Sequence, residues 1–583
     1  MQARKSASQC AHLFIAATLF SGTLSLTASL AHAQVAASPE HDAAEQRRAL
    51  ERETQIREQQ ERTPDVRLLT PAISMVQHLP ESEIPCFPIH QLVLNGDESA
   101  RFGWLLDALS GPDGLDSPLR KCLGANGVKL VLQRAQDALV ARGFVTSRAL
   151  AQPQDLSTGN LVLTVLAGRI RAIRFAMPVD PRAPALNAMP AKPGDILNLR
   201  DIEQALENFK RVPSAEADIQ ITPATGEGAQ PGQSDLLITY KQASPFRWSL
   251  SADDSGTKGT GKYQGAITLS VDNMWTLSDL FYVSLNNDFG GGDPGARGTE
   301  GMTVHYSVPL GYWALGSTLS RSSYYQNVAG ASQDYTYRGT SSNAEIKLAS
   351  LLYRDAIRKT TVSLKAFARQ SQNFIDDTEV QVQHRVVGGW ELGLGHKEFM
   401  GSATLDANLA YKRGTGAFGS LPAPEEAFGE GTSRFALVSA DASLSWPFQL
   451  AGQRVRYNGN WRAQFEQTPL TPQDRFAIGG RYTVRGFDGE SSLSGERGWL
   501  IRNDLSFALG ESGQEFYIGL DHGEVGGPSS DLLVGNWLTG AVMGVRGGVK
   551  NLQYELFIGA PLSKPEGFKA PNSVVGFSLN WTF

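Results

Sequence analysis

The carboxyl-terminal segment of the chain sets the tightest limit on its fold. From Val575 to Phe583, large apolar side chains occupy every second position, and small or polar residues occupy the positions between them. Alternate side chains of a β-strand point to opposite faces, so this strand has one apolar face and one small, polar face. Such a strand is typical of a barrel wall that separates lipid from a wet lumen. A half-buried strand of a soluble sandwich alternates in the same way and remains the alternative.

The composition favours such a barrel over a bundle of membrane helices. The 583 residues exceed one ordinary domain, and hydrophobic residues make up only 41% of them. That fraction is expected where only alternate residues of a strand meet lipid. No internal stretch of the sequence reaches the ~18 consecutive apolar residues of a spanning helix. The formal net charge of -6 gives no bulk reason to expect nucleic-acid binding.

The second half of the chain repeats the alternating pattern. From Phe246 onward, about sixteen segments of roughly ten residues alternate between apolar and polar side chains and are separated by turn residues. Counted from the first segment, the odd-numbered connections are long and the even-numbered ones are short. Long outer loops and short periplasmic turns characterise bacterial outer-membrane barrels, so we predict one over residues 246–583. The connections used are 290–297, 414–432, 468–495 and 523–536 among the long ones, and 309–311 and 510–513 among the short ones.

The amino terminus has the pattern of a secretory signal peptide. Two basic residues precede an apolar run over 13–30, and Ala31-His32-Ala33 offers a cleavage site before Gln34. We therefore predict a signal peptide over residues 1–33 and a mature chain that starts at Gln34. A membrane anchor is the alternative, which polar residues within the apolar run disfavour.

The three cysteines predict one disulfide. Cys10 leaves with the signal peptide, so Cys86 and Cys122 remain in the mature chain. Export to an oxidising compartment makes a disulfide between them the default expectation. In the chain-entropy model, closing a loop of this length stabilises a small domain by roughly 3 to 4 kcal/mol. Two free buried cysteines are the alternative.

Residues 40–62 predict a polar helix. They contain no proline or glycine, and oppositely charged residues lie four apart at Glu53 and Arg57 and at Glu58 and Arg62. No apolar face is wide enough to dock on a core, so this helix must sit in water or in a wet cavity, or be partly disordered. The four prolines of residues 63–85 then predict an extended linker.

Two compact α+β modules are predicted after the linker, over residues 86–167 and 168–242. Their similar size, about 75 residues each, and the shared order of their elements make an internal repeat. Each would present a sheet edge that can accept an extended peptide as an added strand, whereas a spacer with a blocked edge is the alternative. The predicted elements are strands over 87–94, 144–151 and 161–166 with helices over 101–109 and 129–142, then strands over 169–175, 217–222 and 234–240 with a helix over 199–209.

The longest outer connection holds the motif Val484-Arg485-Gly486-Phe487. It is similar to a loop shared across the outer-membrane insertase and translocase superfamily, in which the loop folds back into the lumen. A matching signature follows at Gly519, Asp521 and Gly523, and the period of two places Asp521 on the lumenal face. A buried arginine needs a carboxylate partner, so we predict that Arg485 pairs with Asp521. An arginine in an exposed surface loop is the alternative.

Four short sequences in the two modules resemble those of a known family. They lie at 85–89, 121–124, 197–214 and 232–236. They are similar to the polypeptide-transport-associated (POTRA) modules of two-partner secretion transporters, the TpsB family, and the resemblance covers essentially the whole mature chain. It implies a pore that exports a large partner protein, TpsA, from the periplasm to the cell surface without nucleotide. It also implies that helix 40–62 plugs the resting pore.

The expected partners follow from this resemblance. The exported protein is expected to dock on the two modules through its amino-terminal secretion domain. The barrel assembly machinery, periplasmic chaperones and outer-membrane lipid are the other expected partners, and no nucleic acid or cofactor is expected. We predict an outer-membrane location with the modules in the periplasm. The predicted barrel-assembly signal is the apolar face of the last strand, formed by Phe577, Leu579, Trp581 and Phe583.

Other classes of protein find less support. The nine histidines show no metal-ligand spacing, and neither a phosphate-binding glycine loop nor a nucleophile elbow is present. Asp253-Asp254 and Asp376-Asp377 adjoin predicted loops and are interpreted as solvated acids, and His522 points outward by strand parity. We therefore predict that the protein is not an enzyme and has no metal site. The remaining alternatives are an assembly factor that inserts other barrels, whose relatives usually carry more modules, and a passive porin, which lacks such modules.

Overall fold

The computed structural model describes residues 39–61, 63–68, 78–111, 113–330 and 332–583. It begins with helix α1 (Pro39–Gln60), continues through two small α+β modules and ends in a closed antiparallel barrel. Helix α1 covers most of the polar helix predicted over 40–62. The predicted signal peptide, the predicted start at Gln34 and linker residues 69–77 lie outside the described residues.

The first module is built around one three-stranded sheet. Strand β2 pairs in parallel with β5, and β4 pairs with the other side of β5 in antiparallel fashion. The predicted strand over 87–94 is divided in two, because Pro88 has no N–H to donate to a ladder. The predicted helix over 101–109 is a 3₁₀ turn (Ser99–Phe102) followed by a single helical turn, with Gly103 between them. The elements are β1 (Phe87–Pro88), β2 (Gln91–Asn95), α2 (Leu105–Ala108), β3 (Cys122–Leu123), α3 (Ala125–Ala141), β4 (Arg148–Leu150) and β5 (Asn160–Leu166).

The second module repeats this topology with one helix fewer. Its elements are β6 (Arg169–Phe175), α4 (Leu199–Phe209), β7 (Ala215–Pro223) and β8 (Gln233–Gln242). Strand β8 lies in the centre, parallel to β6 and antiparallel to β7, as β5 lies between β2 and β4. The apolar core below α4 also includes Leu280 and Tyr282 of the barrel, so this module packs directly against the wall.

The barrel wall contains sixteen antiparallel strands, as the alternation predicts. Strand β16 (Thr378–Glu379) pairs only with the end of β15, and β21 (Phe476–Ile478) pairs only with β22 (Leu493–Gly495), so these three short strands are not part of the wall. The wall strands are β9 (Phe246–Asp253), β10 (Gln264–Asp272), β11 (Leu280–Asp288), β12 (Arg297–Leu310), β13 (Trp313–Ala329), β14 (Asp334–Arg354), β15 (Arg358–Ile375), β17 (Arg385–Met400), β18 (Ala403–Thr415), β19 (Ala436–Leu450), β20 (Gln453–Glu466), β23 (Arg497–Ala508), β24 (Glu515–Gly526), β25 (Trp537–Val549), β26 (Leu552–Ser563) and β27 (Val574–Thr582).

The two faces of the wall have opposite character. On β10, Ile267 is 40% exposed on the outside while its neighbour Thr268 is 3% exposed on the lumenal side. On β24, Ile518 and Leu520 are exposed on the outside while Tyr517 and Asp521 are fully buried inside. A belt of apolar side chains on the outer face is what lipid requires of a barrel. Among the described residues, no helix combines the length and apolar character needed to cross a membrane.

The connections follow the predicted asymmetry with one exception. The connections 416–435 and 467–496 are long, while 311–312 and 451–452 are tight turns. The fifth connection, predicted to be long like the other odd-numbered ones, spans only 330–333. There the strands themselves are long, because β13, β14 and β15 have 17, 21 and 18 residues.

The last strand closes the barrel against the first. Strands β27 and β9 pair over Ser578↔Asp253 to Thr582↔Ser249. Beyond this ladder, Trp248 and Phe583 exchange both backbone hydrogen bonds, at 2.8 and 2.9 Å. The aromatic carboxyl-terminal residue therefore takes part in closing the wall.

Candidate functional site in the barrel lumen

Helix α1 lies inside the barrel and contacts the wall through polar side chains. Tyr324 donates to Asp42 Oδ1 at 3.1 Å, and Ser320 donates to Glu53 Oε2 at 2.6 Å. Nearer the end of the helix, Ser270 donates to Gln60 Oε1 at 2.7 Å. The polar surface that fits no ordinary core therefore meets hydroxyl groups on the lumenal faces of β10 and β13.

The same helix contacts the longest connection, 467–496, which folds into the lumen. Arg47 donates to the carbonyl oxygen of Pro472 at 2.8 Å, and Arg48 donates to that of Gly489 at 3.2 Å. Arg475 donates in turn to Glu40 Oε1 at 2.6 Å. Helix and loop thus form one polar contact surface across the lumen.

The folded loop has a small apolar core of its own. Strands β21 and β22 pair within it, and Val484 and Phe487 are 0% and 3% exposed. They pack with residues of the neighbouring wall strands, and the ring of Phe487 meets that of Phe568 edge to face at 5.8 Å. Two of the four motif residues therefore act as apolar anchors of the loop.

Arg485 is the polar centre of the loop. It is 5% exposed, and its Nε and a terminal nitrogen donate to the two oxygens of Asp521 at 2.7 and 2.8 Å. Its backbone N–H donates to the same carboxylate at 3.0 Å. The structure thus places Arg485 against Asp521, the pair proposed from the sequence. A bidentate guanidinium–carboxylate pair is directional as well as strong, so it fixes the orientation of the loop tip.

The sequence reasoning missed a second carboxylate at this site. Arg485 also donates to Asp504 Oδ1 at 2.5 Å, and Asp504 accepts from Arg546 at 3.1 Å. Asp504 lies on β23, directly across from Gly519 of β24. Strand parity on β23 would have placed it on the lumenal face, although no motif marks it.

The glycines of both signatures allow close approach. Gly486 has φ +98°, and a Cβ there would lie 2.5 Å from the carbonyl oxygen of Ala560. A Cβ at Gly519 would lie 2.8 Å from a terminal nitrogen of Arg485. A Cβ at Gly523 would lie 3.1 Å from Val484. The loop tip therefore lies directly against the inner wall, in space that larger residues would fill.

A second arginine of the loop contacts the closing strands of the wall. Arg481 donates to Asp254 at 2.7 Å and to the carbonyl oxygen of Phe577 at 2.8 Å. The backbone N–H of Phe577 also donates to Asp254, at 2.9 Å. The interpretation of Asp254 as a solvated loop acid is therefore wrong, because the folded loop brings a lumenal cation to it. Asp376 and Asp377 do lie in an exposed turn.

The predicted assembly face of β27 points outward. Trp581 and Phe583 are 52% and 55% exposed, and Leu579 is 36% exposed. Phe577 is partly buried, and its ring lies 6.2 Å from that of Tyr263. These four side chains form one apolar stripe beside the closure of the barrel.

In the first module, Cys86 and Cys122 form a disulfide with Cα atoms 5.3 Å apart. Close to it, Asp116 accepts from the backbone N–H of Leu79 at 2.7 Å and forms ion pairs with Lys121 and Arg134. Burial raises the pKa of Asp116, but these hydrogen bonds outweigh it and hold the pKa well below its usual range. Together the disulfide and the ionised carboxylate cross-link the start of the module to its helix.

The described residues offer no group of three or more histidine, cysteine or acidic side chains that could hold a metal ion. His522 is on the outer side of β24, where its Nδ1 lies 2.8 Å from Thr539 Oγ1. It therefore does not face the same side as Asp521.

A closed, even-numbered antiparallel wall with an apolar outer face defines a bacterial outer-membrane β-barrel, here preceded by two α+β modules and carrying a loop folded into its lumen. The chain belongs to the haemolysin secretion/activation protein family ShlB/FhaC/HecB, whose model matches residues 232–547. A POTRA domain model matches residues 169–223, and a ShlB-type POTRA model matches residues 87–168. The resemblance seen in the sequence is thereby confirmed.

Individual relatives match this chain over most of its length. The outer membrane transporter CdiB-2 of Burkholderia pseudomallei (strain 1026b) is 35% identical over 95% of this chain and 97% of its own length. The hemolysin transporter protein ShlB of Serratia marcescens is 26% identical over 77% of each chain. Among solved structures, CdiB from Acinetobacter baumannii superposes with a TM-score of 0.82 at 32% identity, covering 94% of this chain and 99% of that one.

These findings settle the class and location of the protein. It is an outer-membrane translocation pore of two-partner secretion, with its POTRA modules in the periplasm. The match to a family of secretion proteins favours export over the insertion of other barrels, which was the alternative from sequence.

Proposed function

We propose that the pore exports one large partner protein as an unfolded chain and that α1 is its resting plug. The observation that carries the proposal is the position of α1 in the lumen, where its polar side chains meet the wall and the folded loop at both ends of the helix. An extended polypeptide must displace this helix in order to pass. The hydroxyl groups that α1 contacts would then be available to the backbone of the passing chain.

The partner's amino-terminal secretion domain docks on the two POTRA modules in this proposal. Each module has two edge strands, β2 and β4 in the first and β6 and β7 in the second, and residues 194–196 already pair with the start of β6. Such edges add an extended segment through backbone hydrogen bonds, and side-chain pockets then supply the selectivity. The barrel assembly machinery and periplasmic chaperones are the partners that place the barrel itself, with the outward stripe of β27 as the assembly signal.

No catalytic step is part of the proposal. Folding of the partner outside the cell supplies the drive, so each molecule moves without nucleotide.

Depletion of the protein tests the proposal against insertase activity. Quantitative proteomics of the outer membrane and of the culture medium should show the loss of one large secreted protein. The levels of other outer-membrane barrels should stay the same. A general fall of these barrels on depletion would contradict export as the function.

A further inference from the structure

The start of the linker is held in a cluster of buried charges where the second module meets the wall. Glu203 and Glu207 lie one turn apart on α4 and are 0% and 6% exposed. Arg354, the last residue of β14, donates to Glu203 Oε2 at 3.1 Å and to Glu207 Oε2 at 2.9 Å. Lys359 at the start of β15 also pairs with Glu207. We call Glu203, Glu207, Arg354 and Lys359 the linker seat.

The seat binds the backbone of the linker. The N–H of Val66 donates to Glu207 Oε1 and the N–H of Leu68 donates to Glu203 Oε1, each at 2.8 Å. The carbonyl oxygen of Val66 accepts from Arg354 at 2.6 Å. Donors two residues apart on the same side of the chain are the pattern of an extended strand. The two carboxylates thus take the place that a neighbouring strand holds in a sheet.

The side chains of the segment follow the same period of two. Val66 and Leu68 pack against the apolar core of the second module. Between them, the guanidinium of Arg67 lies over the ring of Phe399 at 4.3 Å. Asp65 accepts from Lys359 at 2.7 Å, and this contact outweighs the effect of burial and lowers the pKa of Asp65. The contacts around residues 65–68 therefore favour a segment with an acidic, an apolar, a basic and an apolar residue in that order.

Nothing in these contacts depends on the segment being part of the same chain. Once it leaves, two buried carboxylates each lose a backbone donor, and an apolar surface on the module opens to water. Both losses favour binding of another extended segment of the same kind.

We propose that the linker seat is a binding site for an extended segment of the exported protein, and that residues 65–68 occupy it in the resting state. This rests on the proposed function. The fitting segment carries apolar side chains at alternate positions, an acidic residue before the first of them, and no proline at the apolar positions. The site differs from the sheet edges, because it is formed by one face of α4 and the ends of wall strands.

Occupancy of the seat is coupled to the plug by a short stretch of chain. Only five peptide units separate Gln60, at the end of α1, from Asp65, which limits their separation to about 17 Å. The 22-residue helix is itself ~33 Å long. A partner segment that displaces residues 65–68 therefore removes the anchor next to the end of the plug and leaves that end held by its wall contacts, such as Ser270 to Gln60.

A peptide in trans tests whether a vacated seat accepts such a segment. The probe is a fluorescent peptide of residues 61–70, and the protein is the full chain in lipid nanodiscs. In the variant V66P/L68P the chain's own segment loses both N–H donors, since proline has none. We expect the peptide to bind this variant at least ~10-fold more tightly than the wild type, where the tethered segment competes at high effective concentration. Equal affinity for both proteins, or no binding to the variant, would overturn the inference.

Matched changes locate the binding. In the V66P/L68P background, Glu207→Gln should weaken peptide binding, whereas Glu216→Gln on the exposed side of β7 should leave it unchanged. Changing the peptide is a control that cannot affect folding of the protein. A peptide with aspartate at the two apolar positions should fail to bind, and if it binds as well as the parent, the inference is wrong.

A photoreactive residue tests the site in secreting cells. Gln204 lies on α4 beside the linker seat, and its Oε1 accepts from Arg354 at 3.1 Å. A benzophenone amino acid in its place should cross-link to the secreted partner, at a segment with alternate apolar residues. Cross-links to residues 65–68 alone, in cells that secrete normally, would overturn the inference but leave the proposed function intact. Secretion of the partner in cells that lack the pore would overturn the proposed function instead.

Discussion

The lumen contains two inserts, α1 and the loop 467–496, and they are held in different ways. Of the six buried residues of α1, five are polar, and the other is Ala43. The loop instead buries apolar side chains such as Val484 and Phe487, and both of its ends continue into wall strands. The helix therefore depends on contacts that water can replace, whereas undocking the loop exposes a small core.

The charges show the same contrast. Most contacts of α1 with the wall are single hydrogen bonds to hydroxyl groups, such as that between Glu53 and Ser320, and each contributes about 1 kcal/mol net where lumenal water can replace it. Its ion pairs, Glu40 with Arg475 and Arg57 with Glu345, each involve partly exposed groups. Arg485 makes four hydrogen bonds to two carboxylates, and breaking a buried ion pair by removing one partner costs about 3–5 kcal/mol. We infer that the helix is built to leave during transport and the loop to stay.

The largest effect is expected from Arg485→Ala. The substitution leaves Asp504 and Asp521 buried without their main partner. The free energy that holds the loop docked should therefore fall by several kcal/mol. Secretion of the partner should fall at least ~10-fold, because 1.4 kcal/mol already corresponds to a factor of ten. Partner protein on the cell surface is measured by immunoblotting. Heat-modifiable mobility of the barrel should be largely retained, because the substitution changes no wall strand.

Arg497→Ala is the matched control for that experiment. Arg497 begins β23, its side chain is 58% exposed, and it pairs with Glu466 at 3.1 Å. Exposed pairs contribute little to stability, so this variant should secrete like the wild type. Normal secretion by Arg485→Ala would mean that the docked loop has no role in transport.

Removing the helix is the next largest change. Deletion of residues 40–62 takes away the plug and leaves the loop and residues 63–68 in place. Mean conductance in planar bilayers should rise about 10-fold or more, as expected for a wall of sixteen strands that encloses an open aqueous channel. Unchanged conductance would show that the loop alone seals the pore, and the contrast between the two inserts would then fail.

The two carboxylates around Arg485 should contribute unequally to secretion. Asp521 accepts three hydrogen bonds from Arg485, while Asp504 accepts one from Arg485 and another from Arg546. Asp521→Asn should therefore reduce secretion several-fold more than Asp504→Asn, since charge-assisted bonds contribute about 1.5–3 kcal/mol each. Comparing surface partner protein in the two variants at equal barrel abundance checks the order, and equal losses would contradict it.

Local periodicity explains why much of this structure could be predicted from sequence. The bounds of β6 and α4 match the prediction residue for residue, because hydrophobic period and turn residues agree there. Strand parity also placed Asp521 inside the wall. The rule that odd-numbered connections are long failed once, because β13 and β14 continue as a long hairpin where a long loop was expected.

Contacts between distant segments could not be predicted. Asp254 adjoins a loop in sequence, yet Arg481 reaches it from 227 positions away. The contacts of α1 with the wall could not be predicted either, because the sequence of a polar helix does not indicate which residues it will contact. Asp504 could be predicted in part. Strand parity places it on the lumenal face, but its contact with Arg485 depends on the folded loop.

The smallest effect is expected from single substitutions in helix α1 that each remove one contact. Glu53 is buried and accepts from Ser320 at 2.6 Å, whereas Glu58 on the same helix is exposed. Replacing either with alanine changes helix propensity equally, so the main difference between the two variants is the wall contact, with the longer Glu53–Arg57 pair at 3.9 Å lost as well. Loss of about 1 kcal/mol should raise the frequency of single-channel openings about fivefold in Glu53→Ala and leave it unchanged in Glu58→Ala. If both variants open equally often, individual wall contacts do not hold the helix, and its stability in the lumen must come from the loop contacts at Pro472 and Gly489.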